Sequence, residues 1–219
     1  MTIATEPRNE VTEGAAAGAR SRFYAHLSRA FAFPQPEFHR EVVEGRWQAA
    51  GADLMSVLPA RVAAGAAGAW RAPADYDHFQ SEFIRVFEVG ARGNAACPLF
   101  SGQYGRDRLR VMEELVRFYN FFGLRISPGT MPDHVTVELE FMHFLAFKEA
   151  EARDVGGDID SYVRAQRDFL QRQLANWWPL LAAAVKLQRP LPFHRSLVAL
   201  AGRFFDAERT YLQRALRGS

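Results

Sequence analysis

The chain has 219 residues, of which 48% are hydrophobic and 24% are charged. This balance excludes a wholly disordered or collagen-like chain, and the length is sufficient for one large core. The 27 basic and 25 acidic residues leave a net charge of +2. Because the arginines are dispersed along the chain, they predict no concentrated basic patch of the kind that nucleic acid requires.

The cysteine content and the N-terminus indicate where the protein works. Cys97 is the single cysteine, which excludes an intramolecular disulfide framework and favours a reducing, cytoplasmic setting. No apolar run approaches the roughly 18 residues that span a membrane, so we expect no membrane insertion. Residues 1–20 are polar and rich in alanine and glycine, and we expect them to form a flexible tail before one domain at residues 21–219.

Helical periodicity recurs along the chain and is interrupted by glycine and proline. This pattern predicts an all-α single-domain bundle of about eight or nine helices. Tyr24, Leu27 and Phe31 define the first helix. A second helix is expected from about Pro36 to Ala49, and a weaker, alanine-rich one over residues 52–67.

A functional candidate follows the next helix. The segment Tyr76–Glu88 carries Phe79, Phe83 and Phe87 on one stripe, which predicts an aromatic helix face. The periodicity then stops from Val89 to Gln103, fifteen residues with three glycines. Because a loop of this length inside a compact domain is often functional or disordered, we treat it as a candidate site.

The second half of the chain predicts a buried central helix. Thr130 to Asp133 resembles a capping box with a proline in the first turn, so a strong helix start is expected there. The helix that follows, to about Arg153, is apolar nearly all round in its middle, as buried helices are. Other helices are predicted over residues 105–123, 159–177, beyond Pro179, and 193–216.

No catalytic constellation or nucleotide-binding motif is apparent, but one pattern keeps a metalloenzyme open as an alternative. Glu140 and His143 have the Glu-x-x-His spacing that binds iron in helix bundles, although a di-iron site needs that pair twice. His134 and Glu138, one helical turn apart, are the other candidate ligands. A scaffold without any binding groove is a further alternative, and the role of Cys97 stays open.

Four segments carry a resemblance to a known family. They are Pro132–Ala152 (PDHVTVELEFMHFLAFKEAEA), Glu82–Phe87 (EFIRVF), Cys97–Gly105 (CPLFSGQYG) and Phe118–Leu124 (FYNFFGL). Their order and spacing are similar to those of the TorD/DmsD/NarJ family of redox-enzyme maturation chaperones. The continuation of the first segment is most similar to the subgroup that serves dimethylsulfide, ethylbenzene, chlorate or selenate oxidoreductases.

The resemblance implies a cytoplasmic all-α chaperone that is not an enzyme and has no cofactor of its own. Its partners would be the twin-arginine signal peptide and the apo form of a molybdopterin-dependent catalytic subunit, whose cofactor insertion it supports and whose export it delays. The family's chaperones are monomers or dimers, and the sequence does not select one. Leu99 to Gly102 replace the loop's usual Pro-Tyr-Glu-Ser, which removes an acidic residue.

A receptor for two arginines followed by an apolar run needs carboxylates at a rim and aromatic pockets behind them. We therefore predict that one set of side chains lines the apolar part of the groove and a second set forms its polar rim. The apolar set is Phe83, Phe87, Phe100 and Tyr104, and the polar set is Glu82, Asp133, His134 and Glu138.

Overall fold

The computed structural model describes residues 13–65, 70–88, 95–105 and 107–218. Across these ranges the chain forms nine α-helices, and its β-type pairing is one isolated bridge between Phe100 and His134. The prediction of an all-α bundle is confirmed. None of the helices in the described ranges combines the length and apolar character that crossing a bilayer demands.

The helices are numbered α1 to α9 in chain order. Their bounds are α1 Glu13–Phe31, α2 Pro36–Val43, α3 Arg46–Ser56, α4 Tyr76–Phe83, α5 Arg108–Phe121, α6 Val135–Val155, α7 Asp160–Arg172, α8 Leu174–Gln188 and α9 Pro192–Gly218. A π-helical turn, Ile84–Glu88, continues α4, and a short 3₁₀ helix, Ser101–Gln103, precedes α5.

Several boundaries differ from the sequence prediction. Residues 13–20, expected to belong to a flexible tail, form the first two turns of α1, and Arg20 is buried; residues 1–12 lie outside the described ranges. Gly45 adopts a left-handed conformation with φ 77° and separates α2 from α3, where one helix was expected. The alanine-rich helix expected over 52–67 is wrong, because α3 ends at Ser56.

Pro179 does not end its helix, whereas Gly156 does. The chain was expected to break at Pro179, but α8 runs through it, so Pro179 removes one helical hydrogen bond without ending the helix. Gly156, at φ 66°, ends α6 in the left-handed conformation. The predicted central helix is confirmed: α6 is buried along most of its length and makes its most extensive contact with α1.

A buried ion network joins α1 to three other helices. The Arg20 Nε atom donates to both carboxylate oxygens of Glu208 at 2.9 Å. Its two terminal nitrogens donate to Glu149 Oε2 at 2.8 Å and to Gln166 Oε1 at 2.6 Å. Gln166 in turn donates to Glu149 at 2.9 Å, so every charged group in the network meets an opposite charge or an amide.

The network stays ionised although it lies in the core. Burial alone would lower the pKa of the Arg20 guanidinium, but Glu208 and Glu149 outweigh burial and raise it. Burial would likewise raise the pKa of Glu149, and Arg20 holds it below its ordinary value. Since an unpaired charge in this environment is very costly, the network requires α1, α6, α7 and α9 to assemble in one register.

This network predicts the effect of removing its cation. We expect Arg20→Met to lower the free energy of unfolding by about 3–5 kcal/mol, because two carboxylates would remain buried without their partner. Urea denaturation followed by circular dichroism measures the change. Arg22→Met, at an exposed position of the same helix, is the matched control and should change stability little. A loss of under about 1 kcal/mol for Arg20→Met would contradict this account of the core.

Candidate functional site

The loop before α5 is fixed to the start of α6 by backbone pairing. Ser101 N donates to Asp133 O, and Val135 N donates to Leu99 O, both at 2.8 Å. These two bonds flank the bridge between Phe100 and His134, whose rings meet edge to face with centroids 4.9 Å apart. The structure therefore brings Phe100, Asp133 and His134 together. Residues 89–94 of the predicted loop lie outside the described ranges.

Asp133 differs from the prediction in its accessibility. Its side chain is fully buried, and Arg108 Nε donates to its Oδ2 atom at 3.0 Å. The Arg108 guanidinium also lies over the Phe100 ring, 5.5 Å from its centroid. The prediction that Asp133 stands at an open rim is wrong for this conformation, because a residue of the same chain covers the carboxylate.

Glu138 is also a core residue rather than a rim residue. Its carboxylate is fully buried and accepts a hydrogen bond from Trp177 Nε1 at 3.1 Å. Tyr104 stacks on the other side of Trp177, with ring centroids 5.3 Å apart, and donates its hydroxyl to Pro98 O. Tyr104 and Glu138 thus both contact Trp177 of α8. Spacing within one helix could not predict this arrangement.

The predicted aromatic stripe faces the core. Phe83 and Phe87 are each only 2% exposed, so they do not line an open groove, and this part of the prediction is wrong. The reason is α9, whose His194 meets Phe83 and Phe87 with centroid distances of 5.9 and 5.6 Å. Phe83 still supports a surface side chain, because the exposed Phe33 packs edge-on against it with ring centroids 5.9 Å apart.

Glu82 belongs to a separate surface contact. Its carboxylate pairs with Arg85 at 2.6 Å, and Arg85 also donates to the carbonyl of Gln188 in α8. The hydrogen bond from Arg85 is the largest cause that lowers the pKa of Glu82. In this conformation Glu82 stabilises the contact between α4 and α8.

An open groove lies beside the start of α6. It has a volume of about 490 Å³ and runs between the second half of α1 and the first turns of α6. Its lining residues are Ala25, Ser28, Arg29, Ala32, Phe33, Glu88, His134, Thr136 and Glu140. Of the predicted site residues, His134 lines this groove directly, and Phe100 supports its ring.

The groove carries two carboxylates and one cation that is already paired. Glu88 ends the π-helical turn, and partial desolvation raises its pKa. Glu140 accepts a weak hydrogen bond of 3.4 Å from Ser28. Arg29 is bound to Glu41 at 2.8 Å, so its charge is largely neutralised. Burial lowers the pKa of His134, which keeps its imidazole neutral near pH 7. The groove is therefore suited to a positively charged ligand.

The metal-site alternative gains no support from the packing. Nδ1 of His143 faces Ser21, 2.7 Å from its hydroxyl and 3.0 Å from its carbonyl oxygen. His134 Nδ1 caps its own helix by accepting from Thr136 N. Within the described ranges, no three His, Cys, Asp or Glu side chains lie close enough to hold a metal ion.

Cys97 is placed as a core residue. Its side chain is fully buried, and burial raises the pKa of its thiol to about 11. Its backbone N–H donates to Val86 O at 2.8 Å, which fixes the loop to the π-helical turn. At neutral pH such a thiol is protonated and a poor nucleophile, so the position serves packing.

Comparison with known proteins identifies relatives over most of the chain. A family model described as nitrate reductase delta subunit matches residues 47–183. The perchlorate reductase assembly chaperone protein of Dechloromonas aromatica is 34% identical over 197 residues, covering 86% of this chain and 88% of the relative. The dimethyl sulfide dehydrogenase assembly chaperone protein of Rhodovulum sulfidophilum is 33% identical over 184 residues, covering 78% and 71%.

A third relative matches a shorter stretch. The selenate reductase assembly chaperone protein of Thauera selenatis is 39% identical over 110 residues, covering 48% of this chain and 55% of the relative. All three relatives are named as assembly chaperones and none as an enzyme. The family resemblance and the non-enzyme prediction are confirmed, and two of the named clients belong to the subgroup expected from the sequence.

Buried His194, which packs on Phe83 and Phe87, predicts a defined pH dependence of stability. Burial lowers the pKa of folded His194 from 6.5 to about 4. The unfolded chain therefore binds a proton first as the pH falls, so His194 lowers stability progressively below pH 6.5 and has no effect above it. We expect His194→Leu to remove up to about 3 kcal/mol of the stability loss between neutral pH and about pH 4.

Urea denaturation at a series of pH values measures this dependence. His78→Leu, at an exposed position, is the control and should leave the slope of unfolding free energy against pH unchanged. An unchanged slope for a folded His194→Leu protein would show that this imidazole does not resist protonation.

Proposed function

The chain belongs to the nitrate reductase delta subunit family, and from this premise we propose that it is a cytoplasmic assembly chaperone for a molybdenum-containing oxidoreductase. It binds the twin-arginine signal peptide and the body of the apo catalytic subunit, supports cofactor insertion and delays export. The observation that carries the proposal is the groove between α1 and α6, which combines two carboxylates with an exposed phenylalanine beside the segment that defines the family resemblance.

Charge favours this groove over the one between α5 and α7. The groove between α5 and α7 has a larger volume, about 830 Å³, and is lined by the apolar side chains Phe118, Phe121 and Phe122. However, Arg110, Arg117 and Arg172 also line it. Glu113 and Glu114 line it as well, so its three arginines outnumber its glutamates by one, whereas in the α1–α6 groove two glutamates outnumber one arginine. A peptide that begins with two arginines is therefore favoured in the α1–α6 groove.

The apolar part of the peptide has its anchor in Phe33. This side chain is 42% exposed and packs on buried Phe83, so its outer face is free while its position is fixed. Ala25 and Ala32 leave room beside it for an aliphatic side chain. A rigid aromatic surface with small neighbours suits the apolar run of a signal peptide, because such a run presents leucine-like side chains in several registers.

The two kinds of contact contribute unequally to binding. Burial of an aliphatic anchor gives about 1.5–3 kcal/mol, while an exposed ion pair gives about 0–1 kcal/mol. Ordering the peptide consumes part of this gain. Apolar contact with Phe33 therefore supplies most of the affinity, and Glu88 and Glu140 fix the position of the arginines along the groove.

Truncation of the anchor tests the proposal. We expect Phe33→Ala to weaken binding of a synthetic twin-arginine signal peptide about tenfold, equivalent to about 1.4 kcal/mol. Isothermal titration calorimetry on the full chain measures this affinity. Because Phe33 packs on buried Phe83, thermal unfolding should confirm that the variant is folded before it is titrated.

The control is a phenylalanine on the competing surface. Phe121, which is 81% exposed in the α5–α7 groove, should tolerate Phe121→Ala without loss of peptide affinity. If Phe121→Ala weakens binding and Phe33→Ala does not, the peptide occupies the α5–α7 groove instead. A wild-type protein that fails to discriminate the peptide from its Lys-Lys variant would argue against arginine recognition altogether.

A further inference from the structure

A second place where an arginine can bind lies next to the groove, and the protein's own Arg108 occupies it. We propose that Asp133 and Phe100 form a guanidinium site that Arg108 fills in the unliganded chain, and that an arginine of the bound peptide takes by exchange. The exchange rests on the proposed function, whereas the site itself rests on contacts within this chain.

The geometry is that of a bound guanidinium ligand. Arg108 Nε donates to Asp133 Oδ2 at 3.0 Å, and a terminal nitrogen lies 3.5 Å from Oδ1. The planar group also lies over the Phe100 ring at 5.5 Å, within the range of cation–π attraction. A carboxylate below and a ring beside the cation favour arginine over lysine, whose ammonium is compact and more strongly hydrated.

The carboxylate requires a cation in this place. The Asp133 side chain is fully buried, and Arg108 is its ion-pair partner within the described chain. The Arg108 side chain, by contrast, is 40% exposed. Arg108 can therefore return to water at small cost, but Asp133 cannot be left without a positive charge. This asymmetry favours replacement of Arg108 by another guanidinium rather than simple opening of the pair.

The position of Arg108 in its helix supports replacement. It is the first residue of α5, directly after the N-cap Asp107. The N-terminus of a helix carries partial positive charge, so a cation there gains nothing from the helix and is mildly disfavoured. Its ion pair with Asp133 offsets this cost. The helix itself gives no stabilisation that would keep Arg108 in place.

Gly102 lets the arginine reach the carboxylate. A Cβ atom at this position would lie 2.5 Å from Arg108 Cγ and 3.0 Å from Asp133 Oδ2. The loop therefore passes so close to both groups that a larger residue would displace the arginine stem.

The guanidinium site and the groove share a wall. Phe100 contacts Arg108 on one side and the His134 ring on the other, at 4.9 Å, and His134 lines the groove. One arginine of a peptide in the groove lies near Glu88 and Glu140, and its neighbour can turn toward Asp133 once Arg108 leaves. This assigns the two arginines to two different acidic sites.

The test uses N-ethylguanidinium as a probe for the vacated site. We expect Arg108→Ala to gain saturable binding of N-ethylguanidinium, detected as a concentration-dependent rise of the melting temperature. Wild type and the control Arg110→Ala, at an exposed position of the same helix, should show no such rise. The double variant Arg108→Ala/Asp133→Asn should lose it, because the carboxylate is the group that holds the probe.

Peptide titration then tests the exchange. We expect Arg108→Ala to bind a twin-arginine signal peptide about three- to tenfold more tightly than wild type, because no internal arginine competes. Arg108→Ser, whose short side chain leaves the site open, is the second variant if the alanine variant does not fold, and it should change affinity in the same direction.

The outcomes separate this inference from the proposed function. If folded Arg108→Ala or Arg108→Ser gains no N-ethylguanidinium binding, the guanidinium site is overturned. If the probe binds but peptide affinity is unchanged or lower, the exchange is overturned. If the probe binds and neither wild type nor variant binds the peptide, the proposed function fails while the site stands.

Discussion

The position of α6 against α1 is the constraint on which the rest of the structure depends. Arg20 of α1 is fully buried and pairs with Glu149 of α6 and Glu208 of α9, so these helices cannot slide without leaving a charge unpaired in the core. Such networks specify a register more effectively than they add stability, because the cost of desolvation offsets much of their attraction. Here the specified register places the second half of α1 beside the first turns of α6, which creates the α1–α6 groove.

Helix α6 positions both acidic sites, Asp133 just before its first turn and Glu140 in the groove. The start of α6 is held by the pairing of residues 99–101 with 133–135, which sets Asp133 beneath the loop and His134 in the wall of the groove. A few residues further along, Glu138 is turned inward to Trp177, and Glu140 is turned outward to the groove. One helix thus supplies a buried acceptor and a groove-lining carboxylate within a single turn.

The sequence predicted the fold well and the site only in part. Periodicity located α6 because a helix that is apolar nearly all round must be buried, whatever packs on it. It could not show that α9 covers Phe83 and Phe87, since that contact joins residues over a hundred positions apart in the chain. Nor could it identify Phe33, a single exposed aromatic after α1, or Arg108, whose role depends on the loop geometry at Gly102. Burial of carboxylates is a tertiary property, and spacing within one helix does not report it.

The central claim is that a signal peptide lies between α1 and α6. A synthetic twin-arginine peptide with a photoreactive benzoylphenylalanine in its apolar run, cross-linked to the full chain and digested for mass spectrometry, tests it most directly. The account predicts adducts at residues 25–33 and 134–140. Adducts confined to residues 110–122 and 161–172, which form the α5–α7 groove, would contradict it.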